Sequence, residues 1–162
     1  STEAEYNKYR GIVDAAKNVM LAIRPGGRGD ISESHVRWRF DKHVPFCASP
    51  IVANGHVFGV KDGGILTTID AASGEPVKTG RLSSNGQFFA SPVAGDGRVF
   101  FVDQNGELSV VTAAGDWEEQ HAADFGEQVY ATPAIVDGRI YLRTVGHLYC
   151  FGAPDVTTAR SE

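Results

Sequence analysis

The sequence predicts an all-β protein: a β-propeller of four-stranded antiparallel blades, with about three to three and a half blades in this chain. Three observations predict it. A block of roughly forty residues recurs three times, a period that belongs to repeat architectures. Gly-containing turn dipeptides fall at fixed places in every copy. Glycine makes up 19 of the 162 residues, above the roughly 7% of average proteins and without a collagen period. A fold of many tight reversals uses such an excess, because Gly reaches positive φ at no steric cost.

Each copy opens on a short apolar segment after a proline: Ser49-Pro50-Ile51-Val52-Ala53, Ser91-Pro92-Val93-Ala94-Gly95 and Thr132-Pro133-Ala134-Ile135-Val136. The prolines stand 42 and 41 residues apart. Proline at the start of an inner edge strand is tolerated because that strand has spare backbone groups. Asn54-Gly55, Asp96-Gly97 and Asp137-Gly138 follow, the dipeptides of two-residue type I′ hairpins. A second apolar strand comes next, then a second reversal with Gly64, Gly106 or Gly146, and a Leu two residues on at 66, 108 and 148. Ala71-Ala72-Ser73-Gly74 and Ala113-Ala114-Gly115 form a third reversal before a more polar strand. Polarity rising from first strand to fourth matches a blade running from channel to rim. The strand pattern places whole blades at about 46–82 and 88–124, and a third at about 129–151 without its outermost strand.

Upstream, Val36–Phe40 reads as an outer strand and Val19–Arg24 as the strand before it. The first twenty residues leave two readings open. Thr2 with Glu5 fits a capping box, and Tyr6, Tyr9, Val13, Ala16 and Met20 share helical spacing. The rival is a strand at Gly11–Ala15 paired with 19–24. The helix is favoured, so the expected organisation is an N-terminal segment 1–35 (short helix, then strand and Gly-rich loop), blades over 36–152 and a tail 153–162. Three blades and a fraction do not close a ring of the usual four to eight. The chain is therefore expected to be the C-terminal part of a longer propeller, or to complete a ring with another chain, two copies giving about six blades.

Composition narrows the function classes. A net charge of −5 argues against nucleic-acid binding, which needs a basic face. No apolar run approaches the roughly 20 residues of a membrane span. Cys47 and Cys150 are expected to be buried free thiols, although a pair between them stays open. The five histidines show no metal-ligand spacing and no GxSxG or phosphate loop is present, so neither a catalytic nor a metal residue is assigned. The glycines are all allotted to hairpins, and Trp38 and Trp117 to packing between blades.

The segments from Ser49-Pro50 to Leu82, Ser91-Pro92 to Phe125 and Thr132-Pro133 to Gly152 resemble repeats of the pyrroloquinoline-quinone (PQQ)-type propeller family. That family carries Ala-x-Asp-x-x-Thr-Gly-x-x-x-Trp, whose Trp docks between blades. Thr68, Asp70, Ser73 and Gly74 follow the pattern loosely, and Lys78 takes the Trp position. The architecture resembles that of BamB-type outer-membrane assembly proteins. The resemblance implies a bacterial periplasmic or extracellular scaffold without a cofactor. It also implies an alternative, a fragment of a PQQ- and Ca²⁺-dependent dehydrogenase. Such enzymes stack the quinone on a disulfide of adjacent cysteines, and Cys47 and Cys150 are not adjacent. Asp103–Glu107 is read as a turn and not as a calcium loop. A purely structural subunit of a larger complex is the third reading.

Propellers tend to bind on the face carrying the inter-blade loops and each blade's second hairpin. That face is expected to present Lys42, His43, Lys61, Asp62, Ser84, Asn85, Gln87, Asp103, Gln104, Glu127 and Gln128 around Phe46, Phe88 and Val129. The expected binding set is Lys42, His43, Lys61, Asp62, Gln87, Asp103, Gln104 and Gln128. Its ligand is a protein partner or a small molecule.

Overall fold

The computed structural model describes residues 17–152, and the choice between a short N-terminal helix and a strand at 11–15 falls on residues outside them. Strands β1 (Met20–Ile23) and β2 (Val36–Phe40) form an antiparallel pair. Two four-stranded meanders follow: β3 (Ile51–Ala53), β4 (His56–Lys61), β5 (Ile65–Asp70) and β6 (Pro76–Arg81), then β7 (Val93–Gly95), β8 (Arg98–Val102), β9 (Glu107–Thr112) and β10 (Glu119–Asp124). A three-stranded sheet of β11 (Ala134–Val136), β12 (Arg139–Arg143) and β13 (Leu148–Gly152) completes the described residues, which contain no helix. These are partial propeller blades, here numbered one to three, preceded by the outer two strands of another.

The turns form where the dipeptides stand. Asn54 and Gly55 have φ of 47° and 78°, Asp96 and Gly97 of 49° and 69°, Asp137 and Gly138 of 49° and 70°. Positive φ at both central residues is the type I′ geometry, whose twist matches that of the flanking strands. Each proline immediately precedes a three-residue inner strand. The inner strands lie side by side, β3 against β7 and β7 against β11. A hydroxyl ladder links their entries: Ser49 N–H donates to Ser91 Oγ and Ser91 N–H to Thr132 Oγ1, both at 3.0 Å. The residue before each proline thus ties one blade to the next.

Alternation along the middle strands gives every blade two apolar faces. Phe58, Val60 and Leu66 of blade one pack with Phe88, Val99, Phe101, Val111 and Trp117. On its other face, Val57 and Ile69 meet Met20, Phe40 and Val44. Blades two and three share Ala90, Val102, Val129 and Leu142, with Phe125 and Tyr149 against them. The outer strands β6 and β10 are largely exposed, as their polar composition requires.

Both tryptophans pack between blades, by different means. Trp38 on β2 lies over Gly74 of blade one, and its Nε1 donates to Ala71 O at 3.0 Å. At the next seam Lys78 stands where the family pattern has Trp, and Trp117 of blade two fills the space. It is 4% exposed, lies against Gly80, and has the Lys78 ammonium 4.5 Å from its ring centroid. Lys78 Nζ also donates to Trp117 O at 2.5 Å. A cation–π contact with a hydrogen bond to the neighbouring backbone replaces the expected indole docking.

Two expectations are corrected. Both cysteines are free but exposed. Cys47 lies in the loop entering blade one, and Cys150 lies on β13, on the face away from blade two, which no other strand of the described residues covers. Nor do hairpins account for every glycine. Gly59, Gly80 and Gly95 lie within strands, where a Cβ would press on Pro45, Trp117 and Ile135 of neighbouring elements.

Candidate functional site

The inter-blade loops and second hairpins share one face, because four consecutive hydrogen bonds lace them together. Gly63 N–H donates to Gly86 O, Gln104 N–H to Gln87 O, Val129 N–H to Gln104 O and Val145 N–H to Gln128 O, at 2.7 to 3.1 Å. Glycine is needed at the tightest point: at Gly64 and Gly106 a Cβ would run into the carbonyl oxygens of Ser84 and Glu127.

The carboxylates on this face are engaged in building it. Asp103 is fully buried, accepting from Gly86 N–H at 2.7 Å, Asn105 N–H at 2.9 Å and Glu107 N–H at 3.0 Å. The segment resembling a calcium loop is thus a turn closed on its own aspartate. Asp62 accepts from Phe88 N–H at 3.0 Å. Ser84 is buried on Ser109. Glu127 receives the Thr144 hydroxyl at 2.5 Å, Gly146 N–H at 3.0 Å and His147 Nδ1 at 2.7 Å. The Thr144 hydroxyl first, then the Gly146 N–H, hold its carboxyl below the usual glutamate range.

The remaining residues of the predicted set divide by position. Gln104 and Gln128 come together, since Gln104 Nε2 donates to the Tyr130 hydroxyl at 2.8 Å, which donates to Gln128 Oε1 at 3.3 Å; Gln87 joins them through its backbone carbonyl, which accepts from Gln104 N–H at 2.7 Å. Lys61, Lys42 and His43 are exposed, and no hydrogen bond or ion pair joins them to this group. Phe46 is 81% exposed, whereas its repeat equivalents Phe88 and Val129 are buried between blades. The exposed aromatics sit one residue later. Phe89 and Tyr130, each three residues before its proline, are 40% and 49% exposed, with ring centroids 5.7 Å apart. Beside Tyr130 opens a cavity of about 330 Å³ lined by Gln128, Tyr130, Ala131, Arg143, Thr144 and Val145.

No family model and no curated protein matches the sequence. Among solved structures the chain is similar to BamB from Moraxella catarrhalis, at 18% identity and a TM-score of 0.64, over 84% of this chain and 40% of that one. It is similar also to a quinohemoprotein alcohol dehydrogenase from Pseudomonas putida HK5, at 14% identity and a TM-score of 0.54, over 85% of this chain and 21% of that one. The fold is a PQQ-like propeller of BamB-like architecture. The computationally designed Ika4 protein aligns at 13% identity and a TM-score of 0.59, over 85% of this chain and 86% of that one. The chain spans less than half the length of the BamB and dehydrogenase chains it matches.

Within the PQQ-like fold, the expected binding set lacks Phe89 and Tyr130, the exposed aromatic pair of this face. A signal for each was present in the repeat. Phe88 and Val129 are apolar in register, as core positions are, whereas the next position varies among Cys47, Phe89 and Tyr130.

Proposed function

We propose that the chain is a non-enzymatic propeller scaffold whose loop face binds a protein or a small ligand. The observation that carries the reading is the exposed Phe89–Tyr130 pair, with Gln104 and Gln128 hydrogen-bonded to the Tyr130 hydroxyl and Gln87 tied to Gln104 through its backbone carbonyl. Aromatics that offer an apolar body with amide groups beside them are the composition of binding surfaces. The carboxylates nearby are tied to backbone N–H groups, so this face offers recognition and not acid–base chemistry. The compartment that fits is the bacterial periplasm or exterior, by analogy with the BamB-like architecture. Further blades, or a second copy of the chain, complete the ring.

The test is affinity capture on the intact chain, followed by direct titration of what is captured. Gln87→Ala with Gln128→Ala is expected to weaken binding about 5- to 10-fold, the scale of two neutral hydrogen bonds. Unchanged affinity in the double variant rejects this face.

A further inference from the structure

One patch of the loop face is open although its neighbours are in place. Gln87 and Phe89 lie in the loop between blades one and two, and both are exposed. The ladder from Ser49 through Ser91 to Thr132 sets the loops entering blades one and three on either side of theirs. Gln128 and Tyr130 repeat the two positions one blade on, five and three residues before their proline. The surface they build together belongs to the loop face itself and not to an uncovered seam.

The Tyr130 hydroxyl sorts the amide groups of this surface. It accepts from Gln104 Nε2 and donates to Gln128 Oε1, which fixes the orientation of both amides. The Gln104 carbonyl and the Gln128 N–H groups are left without hydrogen-bond partners among the described residues. An acceptor thus stands beside a donor, and the Gln87 amide adds one of each. The carboxylates nearby are engaged: Asp62 and Asp103 accept backbone N–H groups, and Glu127 is held by Thr144, Gly146 and His147. Beside the amides lie the Phe89 and Tyr130 rings, with centroids 5.7 Å apart and planes inclined at 46°. They meet at an angle and offer no single flat platform.

From this we infer that the patch binds an extended, uncharged polypeptide segment, with one residue's N–H on the Gln104 carbonyl, its C=O on the Gln128 amide, and an aliphatic side chain in the angle between Phe89 and Tyr130. In an extended chain the N–H and C=O of one residue point to the same side, as paired strands use them. Side chains leave perpendicular to that direction, where the rings stand. A sugar ring or flat heterocycle would lie on one of the two rings alone, whereas a branched aliphatic group touches both. Main-chain hydrogen bonds then supply affinity and the apolar angle supplies selectivity. The inference rests on the proposed binding role of this face and narrows its partner to a polypeptide.

The experiment titrates the full chain with a capped tripeptide of alanine, leucine and alanine, following the glutamine side-chain amides and the Phe89 and Tyr130 rings by NMR. Three further probes are the same peptide N-methylated at leucine, the same peptide with glycine for leucine, and methyl glucoside. Wild type is expected to bind the leucine peptide at millimolar concentrations. N-methylation should weaken binding about 5-fold, the scale of one neutral hydrogen bond. Glycine should weaken it about 10-fold through loss of a partly buried apolar side chain. Tyr130→Phe, which keeps the ring and breaks the relay, should remove the sensitivity to N-methylation. Phe89→Ala should remove the preference for leucine, and Arg98→Gln, at a first-hairpin turn, should change neither. Equal affinity for the N-methylated peptide overturns the assignment, as do a folded Tyr130→Phe variant that discriminates like wild type and failure of the leucine peptide to bind. Tighter binding of the glucoside overturns it in favour of a sugar site. The parent reading is tested separately by the Gln87 and Gln128 variants on a captured partner, so a loss there without any response to the peptides removes only the polypeptide.

Discussion

Asp62, Asp103 and Glu127 occupy the loop face as acceptors for backbone N–H groups that would otherwise lack partners where strands end. Buried polar backbone groups need such acceptors, and leaving one unmet costs about 1–3 kcal/mol. Glu127 makes the effect measurable through pH. Its carboxyl titrates below the ordinary value of 4.5 because Thr144, then Gly146, hydrogen-bond its charged form. A depressed folded value stabilises the protein above the unfolded value, and the contribution drains away as pH falls through the folded one. Thermal melts of Glu127→Gln are therefore expected to lie below wild type at pH 7 and to converge with it in acid, below that range. Curves that stay parallel at every pH would contradict this account.

The blade as an element is a meander whose hairpins are set by local chemistry and whose outer strand is set by its neighbour. Gly80 shows the second influence. It lies within β6 at ordinary φ, so nothing in its own backbone demands glycine. A Cβ there would stand 2.9 Å from Cζ2 of Trp117 in the next blade. Gly80→Val is expected to destabilise by about 1–3 kcal/mol through overpacking, lowering Tm by roughly 2–4 °C for each kcal/mol in a chain of this size. Adding Trp117→Phe should relieve part of the loss, since the pair shares one seam. Additive losses in the double variant would place the strain elsewhere.

Across the whole molecule, stability is shared between neighbours: each blade hides its apolar faces only on the blades beside it, as in other repeat proteins. The described residues leave one seam unfilled at either end. Val52 on β3 is 64% exposed, and Val136 on β11 and Leu148 on β13 are 52% and 70% exposed. The equivalents of Leu148 are Leu66, fully buried, and Leu108, packed between blades. Apolar surface of this extent, next to an unpaired strand edge, drives association. Sedimentation velocity is expected to show concentration-dependent self-association of the chain, reduced by Leu148→Lys. A single monomeric boundary at all concentrations would reject it.

The strand positions, the type I′ turns, the blade period and the three strands of blade three among the described residues were all legible in the sequence. Each depends on contacts within a few residues: a dipeptide that tolerates positive φ, or an alternation that reads the same in every copy. Even the glutamines of the loop face could be picked from their repeat positions. The tertiary structure alone decided what happens at the seams. Phe88 turned inward and Phe89 outward, Lys78 exchanged roles with Trp117, Asp103 was spent on backbone N–H groups, and both cysteines were left exposed. These outcomes depend on which side of a sheet a neighbouring blade covers. One chain's local pattern cannot specify that, because the covering atoms lie some forty residues away.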